Sequence, residues 1–140
     1  MLDSLALWED VSAPRARVFD AAVRVIKHHA RLPVEHADTI SKVVYNKQSI
    51  VMRKLAGQPM SRWLRCGTGL TGEHANSWRI TLAYAVFVEP VSTDSSRVGV
   101  AVFATARNPE GVSTSSVACA STGALEREVI SKVREVVQMP

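Results

Sequence analysis

Trp78-Arg79-Ile80-Thr81-Leu82-Ala83-Tyr84-Ala85-Val86-Phe87-Val88 is the stretch that decides the fold. Trp78, Ile80, Leu82, Tyr84, Val86 and Val88 alternate with Arg79, Thr81, Ala83, Ala85 and Phe87. Successive side chains of a strand point to opposite faces, so this rhythm predicts a long strand with one row on a core. Val98, Val100, Val102, Ala104 and Ala106 repeat it against Arg97, Gly99, Ala101, Phe103 and Thr105. Pro90 to Ser96, rich in Ser, Thr and Asp, lies between the two runs and predicts an antiparallel hairpin. The small Ala101, Ala104 and Ala106 leave room for something to pack closely.

Upstream, Ser12 or Ala13 followed by Pro14 reads as a helix N-cap with proline at the first helical position, where its missing N–H costs nothing. Phe19, Ala22, Val23, Ile26 and Ala30 then recur at spacings of three and four, the stripe of an amphipathic helix that ends before Pro33. Leu5 to Val11, with Trp8, reads as a leading strand. Pro33 to Glu35 and Ile40 to Tyr45 read as a broken strand, bent at Ala37-Asp38-Thr39 and followed by a turn at Asn46-Lys47-Gln48. Ile50 to Leu55 and Met60 to Cys66 are two further strand candidates, separated by the breaker Gly57-Gln58-Pro59.

Downstream of the loop Asn108-Pro109-Glu110-Gly111, Val117 to Cys119 makes a short strand. Ser121, Thr122 or Gly123 caps a last helix with the stripe Leu125, Val129, Val133 and Val136, flanked by Ile130 and Val137. The order helix, several antiparallel strands, helix predicts one α+β domain over residues 1–140. Its architecture is a two-layer sandwich, a curved antiparallel sheet of four to five strands with the N-terminal and C-terminal helices on one face.

The 140 residues, 46% hydrophobic and 21% charged, have ordinary globular composition. Such a chain buries roughly 68% of its unfolded surface, enough for a core that does not depend on a cross-link. Charged residues break every apolar run before the ~20 residues that a membrane-spanning helix needs. Met1 to Glu9 lacks the basic region, apolar length and cleavage site of a signal peptide, so export requires a leader or lipid-anchor segment ahead of it. The net charge of +4 permits an anionic partner, but the basic residues run from Arg15 to Arg134 without interleaved stacking aromatics. They read as a solvated surface, and nucleic acid is not expected as a partner.

The motifs that could carry chemistry fail on context. Gly67, Gly69 and Gly72 spell a dinucleotide-type glycine pattern, but Glu73-His74-Ala75-Asn76 leads towards another strand and not into the helix such a site needs; a hairpin loop is the expectation. His28, His29, His36 and His74 show no metal-ligand spacing with one another or with the thiols, and no metal or other cofactor is expected. His28 and His29 suit a helix C-terminus, where positive charge is favoured. A Cys119 nucleophile, close to a helix N-terminus that lowers thiol pKa, lacks an orienting third group. Cys66 and Cys119 are the only two cysteines and lie near strand ends. A structural disulfide is favoured over two buried free thiols, because exported domains retain such pairs and cytosolic ones rarely do.

Val11-Ser12-Ala13-Pro14, the helix around Val18 to Ile26, then Leu32-Pro33-Val34-Glu35 and Asp38 resemble the layout of small bacterial envelope lipoprotein domains of the BamC (NlpB) type. Arg65-Cys66-Gly67 with Cys119-Ala120-Ser121-Thr122-Gly123-Ala124-Leu125-Glu126 resembles uncharacterised exported bacterial proteins that carry a cysteine pair. The resemblance implies a non-enzymatic domain of the periplasm or one tethered to the outer membrane, with an envelope protein or polymer as partner. The competing expectations are a helix-grip-like carrier, with a small apolar ligand among Leu82, Tyr84, Val100, Val102 and Val129, and an enzyme using Cys119 or a histidine.

Overall fold

The computed structural model describes residues 6–70, 72–110 and 116–139. Strand β1 (Leu7–Val11) opens it; Leu5 of the expected leading strand lies outside the described residues. Helix α1 (Arg15–Arg24) begins one residue later than the sequence indicates, with Pro14 itself as the cap in an extended conformation. The Pro14 carbonyl accepts the first helical bond from Val18, at 3.0 Å. A π-helical stretch (Val25–Ala30) continues α1, and Arg31, in the left-handed region at φ 56°, ends it ahead of Pro33. Val18, Phe19, Ala22, Ile26 and Ala30 are buried on the inward stripe.

The segment after Pro33 departs from its expected form. Strand β2 (His36–Asp38) occupies the position of the expected bend, and the chain turns at residues 39–42 before β3 (Val43–Val51). The cause is Asp38. Its carboxylate accepts the N–H groups of Ile40 and Ser41 at 2.8 and 3.2 Å, and its carbonyl accepts that of Lys42 at 2.9 Å. These backbone bonds lower the pKa of the Asp38 carboxyl from its ordinary value, and side-chain hydrogen bonding to Ser41 adds to the effect. The turn expected at Asn46-Lys47-Gln48 is a bulge inside β3: pairing with the next long strand skips from Asn46 to Ser49, and the Asn46 amide oxygen accepts the Gln48 N–H.

The two middle strand candidates dissolve into smaller pieces. Ile50 and Val51 end β3, and Arg53 at φ 70° breaks the chain direction. β4 (Lys54–Leu55) and β5 (Gln58–Pro59) form a ribbon joined by Ala56 and Gly57, both at positive φ as a two-residue hairpin requires. A 3₁₀ turn (Met60–Arg62), β6 (Leu64–Arg65), a second ribbon of β7 (Thr68–Gly69) and β8 (Gly72–Glu73), and another 3₁₀ turn (His74–Asn76) follow. Trp63 anchors this irregular region: its ring is buried and its Nε1–H donates to the Leu55 carbonyl at 3.0 Å.

The deciding hairpin is present and longer than expected. β9 (Arg79–Ser92) and β10 (Ser95–Arg107) pair through thirteen residue couples, and both extend into the Ser/Thr-rich stretch so that only Thr93 and Asp94 make the turn. β11 (Val117–Ser121) and α2 (Ala124–Val137) complete the chain. Gly111 of the expected loop and most of the Ser/Thr-rich stretch 113–116 lie outside the described residues. Gly123 caps α2 at φ 85°, while the Ser121 and Thr122 hydroxyls accept the N–H groups of Gly123 and Ala124.

Among the described residues the sheet has seven strands, more than the four to five the sequence suggests, and every pairing is antiparallel. Its path runs β2-β3-β9-β10-β11-β6, and β10 carries two partners end to end on its far edge, β1 at residues 96–100 and β11 at 104–106. Both helices cover one face: α1 contacts β3, β9 and β10, α2 contacts β1 and β10, and the helices touch each other. Ile80, Leu82, Tyr84, Val86 and Val88 with Val98, Val100, Ala104 and Ala106 form the sheet side of this core, against Phe19, Ile26, Leu125, Val129, Ile130 and Val133. The fold is the expected α+β sandwich.

Candidate binding face

Alternation that sends one row of each strand into the core sends the other row outward, and register arranges the outward residues in tiers across the sheet. The first tier is ionic: Glu89 of β9, Arg97 of β10 and Asp10 of β1. Next come Asp38, Val43, Phe87, Gly99 and Trp8, with Asp38 on the outer strand β2, then His36, Tyr45, Ala85 and Ala101. Ala83 and Phe103 follow, then Ile50, Thr81, Thr105 and Ala118. Arg79 and Arg107 close the series as direct cross-strand partners.

Trp8 is the largest group on this face, and Gly99 makes room for it. A Cβ at Gly99 would meet the Trp8 indole at 2.6 to 2.8 Å, so the ring lies directly on the glycine backbone. From there it stacks on Phe87, with centroids 6.0 Å apart, and the Arg97 guanidinium sits 4.7 Å from its centre. The His36 and Tyr45 rings pack at 5.3 Å on the same face, toward the β2–β3 edge of the sheet. Ala85 and Ala101 are nearly inaccessible between these rings, whereas Phe103 and Ile50 are 51% and 53% exposed. The result is an apolar centre bounded by an ionic tier at one end and an arginine pair at the other.

At the arginine end a cleft of about 550 Å3 opens over the sheet, lined by Arg79, Arg107, Thr81, Thr105, Ile50, Asn108, Pro109 and Ser116. Among the described residues, no acidic side chain lines it. Sequence reading passed over this cleft because it weighed the arginines by their spacing along the chain; only register brings residues 79 and 107 together.

Cys66 and Cys119 are joined, with sulfurs 2.05 Å apart. The bridge ties the residue after β6 to the middle of β11, beside the β11–β6 pairing. With both sulfurs bonded, no thiolate nucleophile is present. The bridge points to an oxidising, exported environment, and no helix among the described residues is long and apolar enough to cross a membrane.

The glycine motif resolves into the β7–β8 ribbon, as expected; Thr71, inside the motif, lies outside the described residues. Its glycines make space for a ring: a Cβ at Gly69 would lie 2.8 Å from His74 Nε2 and one at Gly67 3.3 Å from Nδ1. His74 in turn stacks on Trp78 at 3.8 Å. His28 and His29 fall in the last turn of the first helix, and His29 Nε2 meets the Glu128 carboxylate of α2 at 2.8 Å. Each of His29, His36 and His74 therefore has a separate partner, and the described residues contain no cluster of three or more potential metal ligands.

No family model matches the chain, and no curated protein matches it. Among solved structures the chain is similar to a DUF4468 family protein from Bacteroides ovatus ATCC 8483, with TM-score 0.50 and 9% identity over 96% of this chain and 86% of that one. This likeness concerns the fold alone. It supports the α+β sandwich, and the resemblance to BamC-type lipoprotein domains is not confirmed by any of these findings.

Proposed function

We propose that this chain is an exported, non-catalytic binding domain of the periplasm or outer-membrane surface, which docks an envelope protein or polymer on the open face of its sheet. The observation that carries the reading is that face. Both helices cover the opposite side, and the side that neither helix covers carries Trp8, Tyr45, Phe87 and Phe103 within one largely apolar field bounded by charge. Aromatic rings held rigid on strands supply contact area at low entropic cost, the composition that marks the centre of protein interfaces. The disulfide supports the compartment. An interior carrier has less in its favour: Leu82, Tyr84, Val100 and Val129 belong to the packed core, and none of them, nor Val102, lines the clefts described in this structure.

The test is a photo-crosslinking residue placed at Phe103 on the open face and, separately, at Asp20 on the outer side of α1, in the native host. The reading predicts adducts of discrete size in the envelope fraction from position 103 and none from position 20. Absence of adducts at 103, or equal labelling from both positions, contradicts it.

A further inference from the structure

The arginine pair at the end of the open face has no structural explanation in the fold. Arg79 and Arg107 are exposed and directly opposite each other, an arrangement of like charges that destabilises a sheet. Among the described residues, neither has an ion-pair or side-chain hydrogen-bond partner, and no carboxylate lines the cleft. Other arginines are differently placed. Arg15 donates to the Val88 and Ser41 carbonyls, Arg134 pairs with Glu9 at 2.7 Å, and Arg97 lies against Glu89 and Trp8. A second basic cleft, at Arg62, Arg65 and Arg127, includes the Glu128 carboxylate in its wall.

We propose that the Arg79–Arg107 cleft binds the phosphate group of a small phosphate ester. The arrangement favours phosphate over carboxylate because donors from two paired strands line one cleft. Two guanidinium forks and, one tier inward, the Thr81 and Thr105 hydroxyls exceed what the two oxygens of a carboxylate accept; the oxygens of a phosphate can take them together. The cleft, at about 550 Å3, falls within the usual range of small-ligand sites and leaves space beside Ile50 and Pro109 for the organic part of the ester. Binding removes the repulsion between the two arginines, so the ligand repays a cost that the empty sheet carries. The site does not depend on what docks on the rest of the face.

The experiment titrates the full chain at low ionic strength with inorganic phosphate, glycerol 3-phosphate and acetate, and in parallel with phosphatidylglycerol or phosphatidylcholine vesicles. Affinity is measured by calorimetry or vesicle co-sedimentation, and the arginine side-chain N–H resonances are followed by NMR. Arg79→Gln and Arg107→Gln change exposed side chains, and an unchanged unfolding midpoint confirms that each remains folded. Each variant is expected to lose about tenfold or more in affinity for the phosphate probe, the effect of deleting one charge-assisted contact, while Arg62→Gln binds as the parent does. Glycerol 3-phosphate binding with this pattern assigns a soluble ester. Phosphatidylglycerol binding with this pattern, without binding of the soluble ester, assigns a lipid headgroup. Failure to bind any phosphate probe, acetate binding as tight as phosphate, or equal binding by the parent and both arginine variants overturns the proposal. None of these failures alters the crosslinking expected at position 103, so the two readings fall separately.

Discussion

At the scale of single residues, the contact between Trp8 and Gly99 shows how the open face is built. An indole resting on a strand needs a neighbour without a side chain, and Gly99 lies directly beneath the ring. Gly99→Ala pushes a methyl into the indole at under 3 Å, so either Trp8 leaves its stack with Phe87 or β1 shifts along β10. The expected cost is about 1–3 kcal/mol, as for other overpacking changes. It is read from the denaturant midpoint, with a change in tryptophan emission reporting the displaced ring. A midpoint within about 0.5 kcal/mol of the parent, the usual range of surface changes, would mean that the contact does not constrain the strand. Ser49 is a contrasting case: the residue is 2% exposed on the core side of the β3 bulge, and its hydroxyl has no hydrogen-bond partner among the described residues.

At the scale of elements, β10 organises the sheet, pairing along its whole length with β9 on one edge and with β1 and β11 in series on the other. β6 reaches the sheet only through two couples with β11, and Cys66–Cys119 reinforces that weak junction. Closing a separation of 53 residues contributes about 4 kcal/mol in the chain-entropy picture. Replacing both cysteines by Ser is therefore expected to lower stability by about that amount in chemical denaturation, while the β9–β10 hairpin stays protected in hydrogen exchange and the residues around β6 lose protection. Uniform loss of protection would show that the bridge supports the whole sheet. Elements with strong periodicity were legible in the sequence: β9, β10 and both helices each repeat one face over ten residues or more. Residues 33–77 were not, because short strands there are set by local polar bonds and tertiary pairing. One side chain, Asp38, moves the turn to residues 39–42, and nothing in the alternation of Ile40 to Tyr45 signals it.

At the scale of the molecule, the division between the two faces of the sheet is the main result. One face meets two helices in a continuous core; the other carries aromatic residues between an ionic tier and an arginine-lined cleft. The cysteine pair was readable from counting residues, and its bridge agrees with an oxidising compartment. The open face was not readable in that way, because its tiers join residues from β1, β3, β9 and β10 that lie as far apart in the chain as Trp8 and Gly99. The most direct measurement is hydroxyl-radical footprinting of this protein in intact native envelopes and after purification. If the open face is the binding face, oxidation of Trp8, Phe87 and Phe103 falls severalfold in the envelope while exposed Met139, beyond α2, is oxidised equally in both. Equal oxidation of the three aromatic residues in the two preparations would contradict the account.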